Sequence, residues 1–209
     1  RAISANELQS MNSTCTRFGA AGILTAIAAV LHAASWLDER FAAFAWIGLA
    51  LFFWCLRGKS TISAIAISFA FGCMMLGISF YWATNTLAYT LACEPGDVIP
   101  FVAFVALIVW EAIPFALLGH VYIKSDRGEI PLWITPIFWV LVEVFWPRVF
   151  PWCFAHSQTG FTSFLQAAEL GGAPLVSLIF VAGCIGITQL HAPRASAAVQ
   201  AGNMLMAAG

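Results

Sequence analysis

Residues 98–123 read VIPFVAFVALIVWEAIPFALLGHVYI. The hydrocarbon core of a bilayer is about 30 Å thick and takes roughly 20 apolar residues of helix to cross. Val98 to Ile123 is long enough, and its only carboxylate is Glu111. The run lacks the alternation of a barrel strand, and lipid gives unpaired backbone no partner, so it reads as a transmembrane helix. Working outward, five more runs follow the same rule: about Phe18 to Leu37, Phe41 to Leu56, Ile62 to Leu87, Ile130 to Trp146 and Pro174 to Leu190. The second is short and is expected to tilt or to thin the bilayer locally. The fold class is therefore an all-α integral membrane protein, a polytopic bundle of about six transmembrane helices. Residues 1–17 read as a cytoplasmic N-terminal segment, 18–194 as the transmembrane domain, and 195–209 as the start of a truncated seventh span.

Composition agrees. The chain is 61% hydrophobic and 9% charged, where a soluble domain carries roughly 25% charged residues. The net charge of -1 and the lack of a basic patch speak against nucleic acid as a partner. The chain begins at Arg1 and ends at Gly209 inside an apolar-leaning stretch, so it is expected to be part of a longer protein.

Basic residues favour the cytoplasmic side. A cytoplasmic N-terminus puts Arg1, Arg17, Arg57, Lys59, Lys124, Arg127 and Arg194 inside and only Arg40 and Arg148 outside. The loops around Asp38–Arg40, Ala92–Asp97 and Pro147–Ala173 then face outward. Trp36, Trp82, Trp146 and Trp152 fall at outer span ends, and Trp54 and Trp133 at inner ends, as interfacial tryptophans do. Gly72, Gly77, Gly183 and Gly186 are expected to allow close helix approach. No internal repeat suggests a transporter of inverted halves.

Ionisable groups inside spans are costly and call for a cavity or a partner. Glu111 reads equally as a hydrogen-bonded packing residue or as a contact lining a lipid or substrate groove. Glu143, near the outer end of the fifth span, and Arg148 just beyond it read as an interfacial pair or as part of an outer-leaflet site. His32 and His120 read as packed and interfacial histidines. Of the six cysteines, most lie in apolar runs and behave as small hydrophobes. Cys93 and Cys153 both fall in outer loops, so a disulfide between them is left open. The loop Phe150-Pro151-Trp152-Cys153-Phe154-Ala155-His156-Ser157-Gln158, with Phe164 beyond it, is too aromatic for a solvated linker. It is expected to lie flat on the membrane as a re-entrant or amphipathic segment, with Gly171-Gly172 turning the chain into the last span. No soluble-enzyme motif is present, and no cofactor or metal is expected. His156-Ser157 has no acidic orienter at a readable spacing.

Several of these pieces together resemble the apolipoprotein N-acyltransferase family. Arg57-Gly58-Lys59-Ser60 leads into a span ending Gly77-Ile78-Ser79-Phe80-Tyr81-Trp82, which is similar to the family's glycine-rich third span and its aromatic-Trp close. Glu143 resembles the family's glutamate at the end of the fifth span. Phe150-Pro151-Trp152 with Ser157-Gln158 resembles its F-P-W…Y-S-Q segment. Leu170-Gly171-Gly172 running into Val176-Ser177-Leu178 resembles its entry to the sixth span. His156 stands where the family usually has Tyr, and Pro147-Arg148 where an R-G pair further from F-P-W is usual. The resemblance covers about residues 18 to 194. It implies a bacterial inner-membrane enzyme that moves an acyl chain from phospholipid to the N-terminal amine of lipoproteins. It also implies that the chemistry belongs to a nitrilase-like outer domain with a Glu-Lys-Cys triad, which this sequence does not contain. No residue here is expected to be catalytic; the chain is expected to anchor that domain and admit lipid. By the same resemblance Tyr81, Trp82, Glu143, Phe150, Pro151, Trp152, His156, Ser157 and Gln158 are candidates for a lipid or substrate groove on the outer side. The rival readings are a small transporter or channel built on Glu111, and a non-catalytic lipid-binding scaffold.

Overall fold

The computed structural model describes residues 5–94 and 96–190, with side chains from Gly19 onward. The segment 195–209 lies outside the described residues, as do residues 1–4 and the side chains of the rest of the expected cytoplasmic segment. The described residues form helices α1 (Ala5–Leu37), α2 (Ala42–Leu56), α3 (Thr61–Ser79), α4 (Ala83–Thr90), α5 (Val98–Asp126), α6 (Ile134–Phe145), α7 (Thr162–Leu165) and α8 (Ala168–Leu190), with short 3-10 turns at Glu39–Phe41 and Phe154–Gln158. Among the described residues five helical stretches are long and apolar enough to cross a membrane: Gly19–Leu37, Glu39–Leu56, Thr61–Ser79, Val98–Asp126 and Ala168–Leu190.

Two expected spans are shorter than the sequence suggested. The run from Ile62 stops as a helix at Ser79, turns through residues 80–82, and resumes as the separate α4. Neither glycine nor proline stands at that break. Phe80 is buried there against Trp36, Phe150 and Trp152, so tertiary aromatic packing overrides the local helical pattern. The fifth run is helical only over the 12 residues of α6, which rise about 18 Å and cannot cross a hydrocarbon core by themselves.

The long helices alternate in direction. One end, the Asp38 end, gathers the turn at Glu39–Phe41, α4, the start of α5 and the loop after α6. Trp110 Nε1, partway along α5, donates to the Pro147 carbonyl of that loop at 2.9 Å. At the other, the Arg57 end, Arg57 pairs with Asp126 at 3.5 Å and donates to the Thr188 carbonyl at 3.2 Å. Arg127 binds the Lys59 carbonyl at 2.8 Å and Thr61 at 3.1 Å.

Side by side, α1 packs on α2 and α3, α3 on α5, α5 on α6, α6 on α8, and α8 on α2. These helices close a ring. Small residues set its tightest crossings. A Cβ on Gly48 would stand 2.7 Å from both the Ala28 carbonyl oxygen and the His32 nitrogen, so α1 and α2 touch backbone to backbone. Of the glycines expected to allow close approach, Gly72 lies against Phe115 and Gly183 against Trp46, whereas Gly77 and Gly186 face open space. The entry to α8 bends where the sequence put the turn. Gly172 has φ +68° and ψ -170°, a combination that only glycine adopts without strain.

Candidate functional site: an aromatic plug at the Asp38 end

After α6 the chain does not stay on the outside of the bundle. It folds back into the ring. Phe154 is fully buried and meets aromatic rings from four helices: His32 of α1 at 4.9 Å, Phe115 of α5 at 6.0 Å, Trp139 of α6 at 4.5 Å and Phe180 of α8 at 5.9 Å between centroids. Trp152, Phe154 and Ala155 are thus buried inside the bundle rather than laid out along its surface. The ring leaves a space that helix side chains alone do not fill, and burying Phe, Trp and Ala there is more favourable than spreading them at an interface.

Non-helical backbone at this depth needs partners inside the protein. Glu111 is 2% exposed; its Oε1 accepts the Val149 amide and its Oε2 the Trp152 indole, both at 3.1 Å. Glu143 Oε1 accepts the Phe154 amide at 2.7 Å and the Trp139 indole at 2.8 Å. Its Oε2 makes no hydrogen bond of good geometry, although the Ser177 hydroxyl lies close enough to act on the carboxyl. The Ser177 hydroxyl accepts the Ala155 amide at 3.1 Å. Arg148 donates to the Trp152 carbonyl and lays its guanidinium 3.8 Å over the Trp152 ring. It feels both Glu143 and Glu111 without forming an ion pair with either; among the described residues the ion pairs are Arg40–Asp38, Arg57–Asp126 and Arg127–Glu129.

Above the plug lies an aromatic layer. Phe150 meets Trp82 at 5.7 Å and Phe80 at 6.1 Å, and Trp36 meets Trp152 at 5.7 Å and His156 at 6.0 Å. Of the sequence-predicted residues, Trp82, Phe150, Pro151, Trp152 and His156 come together here. Trp82, Pro151 and His156 form an exposed rim and Trp152 a buried floor. Tyr81 is 64% exposed and makes none of the ring contacts of this layer, which its neighbour Phe80 makes instead. Ser157 and Gln158 are wholly buried. Ser157 Oγ donates to the Phe154 carbonyl at 2.7 Å and accepts from Gln158 Nε2 at 2.8 Å, while Gln158 Oε1 accepts from Trp46 of α2 at 2.7 Å. These two lock the turn of the plug on the α2 side, and Glu143 faces the plug rather than lipid. Sequence reasoning missed Phe80 and Trp36 as members of the layer. It singled out Glu111 without finding its partners.

Within the plug His156 Nδ1 accepts the Cys153 amide at 3.4 Å. Cys93 and Cys153, left open as a disulfide, are both free. Among the described residues no group of His, Cys, Asp or Glu is arranged to hold a metal ion.

A closed ring of apolar helices, plugged by its own aromatic loop and capped by an aromatic layer, defines a multi-pass membrane domain. A family model described as the apolipoprotein N-acyltransferase N-terminal domain matches residues 28–186, most of the chain, and the protein belongs to that family. No curated protein and no solved structure matches it.

Proposed function

We propose that this chain is the membrane part of an apolipoprotein N-acyltransferase-like enzyme of the bacterial inner membrane, with its N-terminus in the cytoplasm and the Asp38 end outward. In this reading it anchors a catalytic domain and offers phospholipid a rigid aromatic surface. The enzyme would then pass an acyl chain from the lipid to the N-terminal amine of a lipoprotein. None of the candidate side chains supplies the chemistry. Trp82, Pro151 and His156 contact lipid near its ester, and Phe150 and Trp152 support them from beneath. The observation that carries this reading is that the family match spans the segments that build the aromatic layer.

Aromatic rings at a membrane interface suit the region where acyl chains meet headgroups. A phospholipid with a photoreactive group near the ester end of one acyl chain tests the assignment in reconstituted bilayers. Crosslinks are expected to concentrate on peptides holding Trp82 and Pro151, and to fall several-fold in Trp82→Ala and Phe150→Ala. Labelling spread evenly around the bundle, or centred on the Arg57 end, defeats the proposal. The transporter reading gains nothing from Glu111, since both its oxygens are taken by donors of the plug.

A further inference from the structure

Glu111 belongs to none of the motifs that carry the family resemblance, yet it stands where a carboxylate is expensive. It lies about 20 Å along α5 from Val98 at 1.5 Å per residue, within the span Val98–Asp126. A carboxyl group at that depth persists only where something specific holds it. Here the holder is the plug. Residues 149–153 lead into the ring without helical structure, and each unmet N–H at membrane depth costs several kcal/mol. Glu111 meets one donor at each edge of the Phe150-Pro151-Trp152 step: the Val149 amide before it and the Trp152 indole at its end. Proline supplies no amide between them. A carboxylate is the one common side chain with two acceptor oxygens and no donor.

We infer that Glu111 is a positioning residue that fixes where the Trp152 ring lies, and through it the Arg148 guanidinium and the neighbouring Phe150 and Pro151. Three contacts make the chain of action. Glu111 Oε2 holds the indole edge at 3.1 Å. The Trp152 ring face then carries the Arg148 guanidinium at 3.8 Å. Arg148 in turn closes on the Trp152 carbonyl, so the step is gripped from both sides. Trp152 also lies against Phe80 at 6.3 Å and Trp36 at 5.7 Å, so its placement sets the floor of the aromatic layer. The inference deepens the lipid-contact reading, on which its functional meaning rests, but the positioning is a property of the fold.

The chain carries its own reporters. Cys153 follows Trp152 directly and is half-buried, Cys93 lies in the other loop at the same end, and Cys184 is buried within α8; all three are free. The full chain in detergent micelles is treated with a maleimide, and labelling rates are read peptide by peptide by mass spectrometry. Glu111→Gln keeps the shape but turns one acceptor into a donor facing a donor. Cys153 is expected to label about tenfold faster, as one lost buried hydrogen bond shifts a local opening, with Cys93 unchanged and Cys184 as slow as before. Adding Trp152→Phe removes the orphaned indole donor, so the double variant is expected to label Cys153 more slowly than Glu111→Gln alone. Such coupling marks a specific contact rather than general packing. An unchanged Cys153 rate overturns the inference, and so does a rise shared with Cys184 or a double variant that labels as fast as the sum of its parts. Should Glu111→Gln fail to fold, Trp152→Phe alone decides. A Cys153 rate raised severalfold supports the positioning role, and an unchanged one overturns it. No lipid ligand enters the measurement, so its failure leaves the lipid-contact proposal to the crosslinking experiment.

Discussion

At the scale of the residue, the protein places acids in its membrane span because it places irregular backbone there. Glu143 illustrates the exchange. Its Oε1 meets both the Phe154 amide and the Trp139 indole, so Glu143→Ala strands two buried donors. Each costs about 1–3 kcal/mol when left unmet, and a loss of about 2–4 kcal/mol in denaturant unfolding in micelles is expected. Glu143→Gln retains one carbonyl oxygen and is expected to lose less than half as much. Equal losses for the two variants would mean that the oxygen's acceptor role is not what matters. The sequence marks Glu111 and Glu143 as anomalies because hydropathy makes any buried carboxylate conspicuous. It does not reveal their partners in the plug, since those lie 11 to 41 residues away in a loop whose path follows no periodicity. Ser157 and Gln158 show the opposite failure. They look like exposed groups of a polar site, yet they are spent on internal hydrogen bonds.

At the scale of the element, helix existence is legible and helix extent is not. Apolar length identifies the spans, because lipid demands it. The break after Ser79 and the short α6 depend on Phe80 and Phe154 finding partners from distant helices, which no local pattern encodes. Glycine function divides in the same way. Gly48→Ala drives a methyl group into the Ala28 carbonyl and the His32 nitrogen, each 2.7 Å away and both backbone, so α1 and α2 must separate. Overpacking of this kind costs about 1–3 kcal/mol. Gly77→Ala meets nothing within 4 Å and gains helix propensity, so it is expected to be neutral or slightly stabilising. Thermal unfolding of the two variants side by side reads the difference, and equal melting temperatures would disprove the backbone contact at Gly48.

At the scale of the whole molecule, ring closure is what the sequence hides most completely. The contact between α2 and α8 joins residues more than a hundred positions apart, as in the Arg57–Thr188 hydrogen bond. The distribution of charge between the two ends, by contrast, can be read directly. Among the described residues Arg57, Lys59, Lys124 and Arg127 gather at one end, and Arg40 and Arg148 at the other. The fold sharpens the asymmetry. Arg148 is drawn into the bundle over Trp152, and Arg40 is matched by Asp38, whose carboxyl it holds down at about 2. Neither therefore offers an unmatched surface cation to oppose the other end. On the positive-inside rule the Arg57 end is expected in the cytoplasm, as proposed above. In intact cells a membrane-impermeant maleimide is expected to label the native Cys93 from outside and to leave Lys59→Cys untouched until the membrane is opened. The reverse pattern would put the aromatic layer in the cytoplasm, away from the outer leaflet, and the lipid-presenting role would fall with the orientation even though the fold would stand.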